Sequence, residues 1–289
     1  MGKKRIAFLG PEGTVSDESA RYFFRDTDHE LVPYKLIADV FNATATGETD
    51  LSVIPIENTI DGSVSLHMDL LNEADLPIHA EWIYPSRQNL IGFSSESEGF
   101  QHIRKIYSHP VAMAQCREFL NQHLPHAEFE QVSSTAESVR LVKEAGDISC
   151  AAIGTVLAAS KYGLEVLAPG IQDHQNNFTR FILIGRERPE LRPAPLTKTS
   201  ITVTLPEDYP GALHQVLSAF AWRRINLSRI ESRPTKKKLG SYYFFIDIEM
   251  GLESVLLKAA IEEIRAIGAQ VRILGSYPSY SYEEAHSEV

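Results

Sequence analysis

Ser200–Arg224 reads SITVTLPEDYPGALHQVLSAFAWRR. Its opening alternates apolar and polar residues, and then Leu213, Val216, Leu217 and Phe220 follow at i, i+3, i+4 and i+7. The hydrophobic period switches from 2 to 3.6, which predicts a strand over Ser200–Leu205 and a helix over Pro210–Arg224. Pro210 suits the first turn, where its missing N–H has no helical partner to lose. Toward the C-terminus, strand patterns occupy Asn226–Ser232 and Ser241–Glu249, a helical pattern runs over Leu252–Gly268, and a last strand covers Gln270–Leu274. The order βαββαβ is the ferredoxin-like plan.

Toward the N-terminus, GRERPELRPAPLTKT (Gly185–Thr199) holds three prolines and six charged residues without apolar periodicity. It reads as a linker, here bounded as 187–198, between a first unit ending at 186 and a second spanning 199–280. The first unit alternates β-rich runs with helical patterns, so an α/β class is expected. Strands are predicted at Arg5–Leu9, Leu51–Ile56, Ile78–Tyr84, Asn89–Phe93, Ile103–Tyr107, Glu128–Val132, Ile148–Ile153 and Arg180–Ile184. Helices are predicted over Val111–Leu124 and Thr135–Ala145, with Met113, Cys116, Leu120, Val139 and Val142 as core.

A chain of 289 residues, 43% hydrophobic, can bury sizeable cores and is better read as two or three domains than one. Cys116 and Cys150 lie in apolar stretches, too few and too far apart for a disulfide framework or a zinc site. The opening MGKKRIAFLG runs straight into a strand, and no run approaches about 18 apolar residues, so a cytoplasmic, non-membrane protein is expected. A net charge of −10 argues against nucleic acid as partner. An anionic ligand would then need a locally positive site.

Four loops of the first unit carry candidate chemistry. Gly10-Pro11-Glu12-Gly13-Thr14, ahead of a helix that Ser16 could cap, exposes backbone N–H groups to an anion; a tight turn needing glycine reads the same way. Pro55-Ile56-Glu57-Asn58-Thr59 ends a buried strand in an acid, an amide and a hydroxyl, either cleft residues or turn formers. Ser108-His109-Pro110 is a ligand donor or a helix cap. Asn177-Phe178-Thr179-Arg180-Phe181 sets an arginine at the mouth of an apolar strand, as a carboxylate anchor or as a sheet-edge ion pair.

In this order the segments GPEGT-x-S, PIENT-x-x-G-x-V, SHP with Gln115-Cys116, STAE at Ser134–Glu137 and NFTRF at Asn177–Phe181 resemble the prephenate dehydratase family. Gly211-Ala212-Leu213 and Asn226-Leu227-x-x-Ile230-Glu231-Ser232-Arg233-Pro234 resemble the effector signature of its ACT domain. The resemblance implies a catalytic region like a type II periplasmic binding protein, with one lobe of residues 1–76 and 170–186, another of 77–169, and a cleft between them. It implies a cofactor-free, metal-free conversion of prephenate to phenylpyruvate, water and carbon dioxide. Thr179 is then the donor to the leaving oxygen and Arg180 the carboxylate anchor, with Glu57, Asn58 and Thr59 as further catalytic residues. Thr14, Ser108, Ser134, Thr135, Asn177 and Phe181 are substrate-binding candidates. Phenylalanine as effector would meet Gly211, Ala212 and Leu213 of one chain and Asn226 and Leu227 of its partner, with Glu231, Ser232 and Arg233 alongside. A homodimer through ACT domains, or a tetramer, follows. Val15 replaces the usual aromatic and Ser228 the frequent threonine. The chain opens on the first dehydratase strand, so a monofunctional enzyme is expected. Arogenate dehydratase and a non-catalytic amino-acid sensor are the alternative readings.

Overall fold

The computed structural model describes residues 3–94, 99–207, 209–236 and 241–282. The chain runs β1 (Lys4–Leu9), α1 (Val15–Phe23), β2 (His29–Tyr34), α2 (Ile37–Thr46), β3 (Leu51–Asn58), β4 (Gly62–Ser63), α3 (Ser65–Glu73), β5 (Ile78–Pro85) and β6 (Asn89–Gly92). It continues through β7 (Lys105–Ser108), α4 (Pro110–Gln115), α5 (Arg117–His123), β8 (Glu128–Gln131), α6 (Thr135–Ala145), β9 (Cys150–Gly154), α7 (Val156–Tyr162), β10 (Glu165–Ala168) and β11 (Phe178–Gly185). The remainder is β12 (Leu196–Thr204), α8 (Ala212–Ala221), β13 (Leu227–Pro234), β14 (Tyr242–Ile248), α9 (Val255–Ala266) and β15 (Gln270–Tyr280). These elements form two compact units, Met1–Val64 with Ile83–Phe181, and Ser65–Trp82 with Ile182–Val289.

The first unit has two lobes, each built on a sheet. In one, β2, β1 and β3 are parallel, with Phe8 opposite both Pro33 and Val53, and the start of β11 continues the sheet beside β3. In the other the order is β10-β6-β9-β7-β8, β7 lying parallel to its neighbours and β6 antiparallel to β9 and β10. Side chains alternate across this second sheet. Leu90, Ala151 and Ile153 join one apolar cluster with Leu120, while Ile91 and Ala152 join another with Val139 and Val142. Both faces are covered, which is why these strands read as continuous apolar runs. Each fully buried Leu, Ile or Val contributes roughly 1.5–3 kcal/mol.

The helix predicted over Val111–Leu124 is two helices, α4 and α5, because Cys116 leaves helical geometry at φ −116° and ψ 19°. Cys116 and Cys150 are free and buried, and burial pushes both thiols up. Three further strands, β2, β4 and β10, escaped the sequence reading. β2 carries an internal proline and exposed polar residues, and β10 is a half-buried four-residue stretch.

In the second unit β13-β14-β12-β15 make an antiparallel sheet under α8 and α9. Val216, Ala219 and Phe220 of α8 meet Leu257, Ile261 and Ile264 of α9 over Ile201, Val203 and Ile246. The βαββαβ order is as expected, with two extensions. β12 starts at Leu196, inside the predicted linker, and β15 runs to Tyr280, pairing Ser279 and Tyr280 in parallel with Glu81 and Trp82 of β5. Glu81 is 1% exposed and is met there by Lys198 at 2.7 Å and the Ser279 hydroxyl at 2.6 Å. Taking a carboxylate out of water is expensive, and the ion pair and hydroxyl bond offset that cost.

Candidate active site

A cleft of about 420 Å³ lies between the two lobes of the first unit. Thr14, Val15 and Lys35 line it from the first lobe, Ser86, His109, Gln115, Ser134 and Thr135 from the second, and Asn58 and Thr179 from β3 and β11. Two helices open toward it. Thr14 caps α1 by accepting from the Asp17 N–H, and Ser134 caps α6 by accepting from the Glu137 N–H at 3.1 Å. Helix N-termini favour negative charge. Lys35, just after β2, brings a positive charge to the cleft.

The lobes are tied at one side of the cleft. Gly13 has φ +89°, and a Cβ there would come within 3.2 Å of the Ala158 Cα, so the turn needs glycine for its conformation and for the close approach of α7. Thr155 donates to the Gly13 carbonyl at 2.7 Å, and Glu18 accepts from the Leu157 N–H at 3.0 Å. Lys161 pairs with Glu12 and holds that carboxyl below its usual range.

The cleft floor is a chain of amides whose polarity can be assigned from one end. Gln115 Nε2 donates to Asp61 Oδ2 at 2.7 Å, and a carboxylate accepts, so Gln115 presents its oxygen on the other side. That oxygen accepts from Asn177 Nδ2 at 2.8 Å, and Asn177 Oδ1 in turn accepts from Asn58 Nδ2 at 2.9 Å. Asn58 Nδ2 also lies 3.1 Å from the Phe178 carbonyl and 3.0 Å from Thr179 Oγ1, while its Oδ1 takes the N–H groups of Ile60 and Asp61. Thr179 Oγ1 is therefore an acceptor from Asn58. The Ser86 hydroxyl stands 2.7 Å from it. Either hydroxyl of this pair can be the donor; when Ser86 donates, the Thr179 proton is left to point at a ligand.

Of the residues singled out in the sequence, Thr179, Asn58, Thr14, Ser134, Thr135 and Phe181 line this cleft. Asn177 is buried and works through its neighbours, and buried Ser108 donates to the His109 carbonyl. His109 caps α4 with Nδ1 accepting from the Val111 N–H, which leaves any proton on Nε2, and burial lowers its pKa. Arg180, Glu57 and Thr59 stand apart from this lining. They line a separate cavity of about 140 Å³ with Ile83 and Phe178, where Arg180 Nη1 is 3.5 Å from Glu57 Oε2. The reason is strand alternation: on β11, Thr179 and Phe181 point one way and Phe178 and Arg180 the other. Thr59 is committed to the backbone, donating to the Asn176 carbonyl and accepting from the Phe178 N–H. Lys35, Ser86, Gln88 and Asp61 had no signal in the sequence, since they sit in three separate loops and are polar without a motif; Gln115, shortly after the SHP segment, was given no role.

In the second unit, Gly211 caps α8 at φ +93°, Ala212 is buried and Leu213 half-buried. Asn226 donates to Glu249 at 2.5 Å, Glu231 accepts from Arg229, and Ser232 is exposed. Arg233 is taken up within the unit, gripping both Asp69 oxygens at 3.1 and 3.0 Å and Ser65 Oγ at 2.9 Å.

Residues 6–189 match the family model for prephenate dehydratase and residues 199–266 the model for the ACT domain. The chain is 39% identical to the prephenate dehydratase of Bacillus subtilis strain 168, across 96% of this chain and 99% of the relative. It is 38% identical to a bifunctional chorismate mutase/prephenate dehydratase of Aquifex aeolicus, across 98% of this chain and 75% of that one. Among solved structures, the prephenate dehydratase of Arthrobacter aurescens in complex with L-Phe superposes with TM-score 0.81 at 34% identity, covering 95% of this chain and 90% of that chain. GqqA, described as a novel type of quorum quenching acylase, superposes with TM-score 0.83 at 29% identity, covering 96% and 98%. Among the described residues no helix is long and apolar enough to cross a membrane.

Proposed function

The chain belongs to the prephenate dehydratase family, and we propose on that footing that it converts prephenate to phenylpyruvate, water and carbon dioxide under feedback control by phenylalanine. The reaction takes up one proton. The electron pair of the ring-to-carboxylate bond enters the ring, carbon dioxide leaves, and the C–O pair departs with the hydroxyl, which is protonated to water. Regained aromaticity supplies much of the driving force. The protein has to orient the substrate, offer positive potential to a dianion and stabilise the leaving oxygen.

The observation that carries this reading is the Thr179 hydroxyl, held by Asn58 at 3.0 Å and Ser86 at 2.7 Å in the cleft. A free threonine hydroxyl is a poor acid. Donation to its oxygen by Asn58, and by Ser86 when that hydroxyl is the donor, polarises it, so its hydrogen bond to the departing oxygen strengthens as charge develops there. Lys35 and the N-termini of α1 and α6 would face the substrate carboxylates, while the Arg180–Glu57 pair braces β11 against β3 behind the site. Because Thr179 is bonded to an amide and a hydroxyl, and His109 spends Nδ1 on its own helix, the cleft favours dehydration over acyl transfer, which needs a nucleophile paired with a base.

We take residues 1–186 as the catalytic region, 187–198 as a linker and 199–280 as the ACT domain, in a cytoplasmic enzyme. Phenylalanine would sit at Gly211–Leu213, between ACT domains of two chains, with Asn226 and Leu227 of the second chain completing the site. β13 ends its sheet and exposes Ile230, a surface suited to a second copy. The test is ultraviolet detection of phenylpyruvate from prephenate by the purified protein, with and without phenylalanine, run in parallel with arogenate. No product from prephenate sinks the proposal, and a higher kcat/KM on arogenate moves the assignment to that substrate.

A further inference from the structure

Gln88 lies between β5 and β6, 5% exposed, and lines the cleft together with Ser86 two residues before it. Its Nε2 points at Gln115 Oε1 across 3.5 Å, and its backbone N–H donates to Gln172. Its Oε1 is buried and has no hydrogen-bond partner among the described residues. The orientation of this amide follows from its neighbours. Gln115 Oε1 is an acceptor because Gln115 Nε2 is committed to Asp61, so Gln88 must turn its nitrogen toward Gln115 and its oxygen away. A flipped Gln88 would set two acceptor oxygens against each other.

A buried acceptor left unmade costs about 1–3 kcal/mol, which makes an orphan in a ligand cleft a specific kind of vacancy to fill: it wants a donor. Both ends of the Gln88 amide are weakly held, one by a long contact and one by nothing among the described residues. The last torsion of a glutamine side chain is broad, so the amide can turn a short way into the cleft at small cost. A prephenate dianion carries carboxylates and a ketone, all acceptors, and a single O–H donor, the ring hydroxyl that leaves.

We propose that Gln88 Oε1 receives the hydrogen of that ring hydroxyl. A hydroxyl has one hydrogen and two lone pairs. Pinning the hydrogen on Gln88 turns a lone pair toward Thr179, whose oxygen accepts from Asn58 and whose own proton points outward when Ser86 donates to it. When the C–O bond breaks, the hydroxyl keeps its original hydrogen, takes a second proton and leaves as water still bonded to Gln88. Gln88 exchanges no proton and is a positioning residue for the leaving group. This rests on the dehydratase reading, and it extends the cleft's known chemistry to a residue with no motif of its own.

The test compares Gln88→Met, which preserves length and removes both polar atoms, with the unaltered full-length protein. Two ligands are used: prephenate, and an analogue with hydrogen in place of the ring hydroxyl, which cannot react and is measured as a competitive inhibitor. The variant is expected to lose about 10- to 100-fold in kcat/KM on prephenate, mostly in kcat, while the inhibition constant of the deoxy analogue changes less than about threefold. A parallel loss for both ligands means Gln88 only shapes the cleft, and the proposal falls. Unchanged prephenate kinetics, or a defect confined to arogenate, overturns it as well. Should Gln88→Met fold poorly, Gln88→Asn, which keeps the amide but withdraws it from the hydroxyl, must show the same split between the two ligands. The two readings fail differently. Absence of phenylpyruvate with the unaltered protein defeats the dehydratase assignment, whereas activity that survives in the variant defeats only the role of Gln88.

Discussion

Replacing Thr179 with valine exchanges a hydroxyl for a methyl of similar size on β11, where a β-branched residue suits the strand. The structure separates the effect on stability from the effect on rate. Asn58 Nδ2 loses the Thr179 oxygen but keeps Asn177 Oδ1 at 2.9 Å and the Phe178 carbonyl at 3.1 Å, so its two hydrogens remain used. Ser86 loses a partner at the lining of the cleft. The folding cost should therefore stay near that of one hydrogen bond, about 1 kcal/mol. The rate cost should be far larger, about 10²–10³ in kcat or roughly 2.7–4 kcal/mol, the usual effect of deleting one preorganised donor to developing charge. Thr179→Ser, which restores the hydroxyl, should recover most of the rate. The assay is initial-rate ultraviolet detection of phenylpyruvate, with urea midpoints measured on the same preparations. A valine variant that folds normally and turns over within about tenfold of the unaltered protein would refute the role of Thr179.

Three further outcomes follow. Burial pushes Glu18 up to about 7 from 4.5, against the opposing bonds from Leu157 and Thr155. The folded state then holds a proton that the unfolded state releases, so Glu18 should lower stability as pH rises through the window from 4.5 to about 7. Glu18→Gln keeps an acceptor for Leu157 and should flatten that part of the urea-midpoint profile, gaining about 1–3 kcal/mol over the unaltered protein above the window; parallel profiles would contradict this. Arg180→Lys loses the planar fork facing Glu57 and should cost about 1–2 kcal/mol in stability with kcat/KM changed less than about threefold. A stable variant with KM raised tenfold would return Arg180 to substrate contact. Gly211→Val meets no atoms within 4 Å but must hold φ +93°, so it should distort the α8 cap. Inhibition by phenylalanine should weaken about tenfold or more while basal kcat stays within about twofold, and undiminished inhibition would move the effector site elsewhere.

Periodicity made much of the fold legible. The switch from period 2 to 3.6 around Pro210 and the apolar runs of β3, β9 and β11 are local features that neighbouring residues dictate. The breaks in that reading are tertiary. β12 begins at Leu196 because β15 and β14 lie beside it, and Pro195 and the surrounding charges concealed this. β15 continues past Leu274 because β5 offers it an edge at Glu81 and Trp82. α4 and α5 separate at Cys116, where no proline or glycine marks a break.

The candidate site divides in the same way. The sequence alone singled out Asn58, Asn177 and Thr179 through the family they resemble, because motifs are contiguous. It also joined Thr179 and Arg180 as partners in one cleft, since adjacency in a string carries no direction. Only the folded β11 separates them, because successive side chains of a strand leave on opposite faces. Likewise Lys35, Ser86, Gln88, Gln115 and Asp61 are spread over three loops and a helix, and the sequence had no means of relating them. Their meeting depends on two sheets approaching across Gly13 and Thr155, a contact between residues 142 apart that backbone propensity cannot encode and that packing decides.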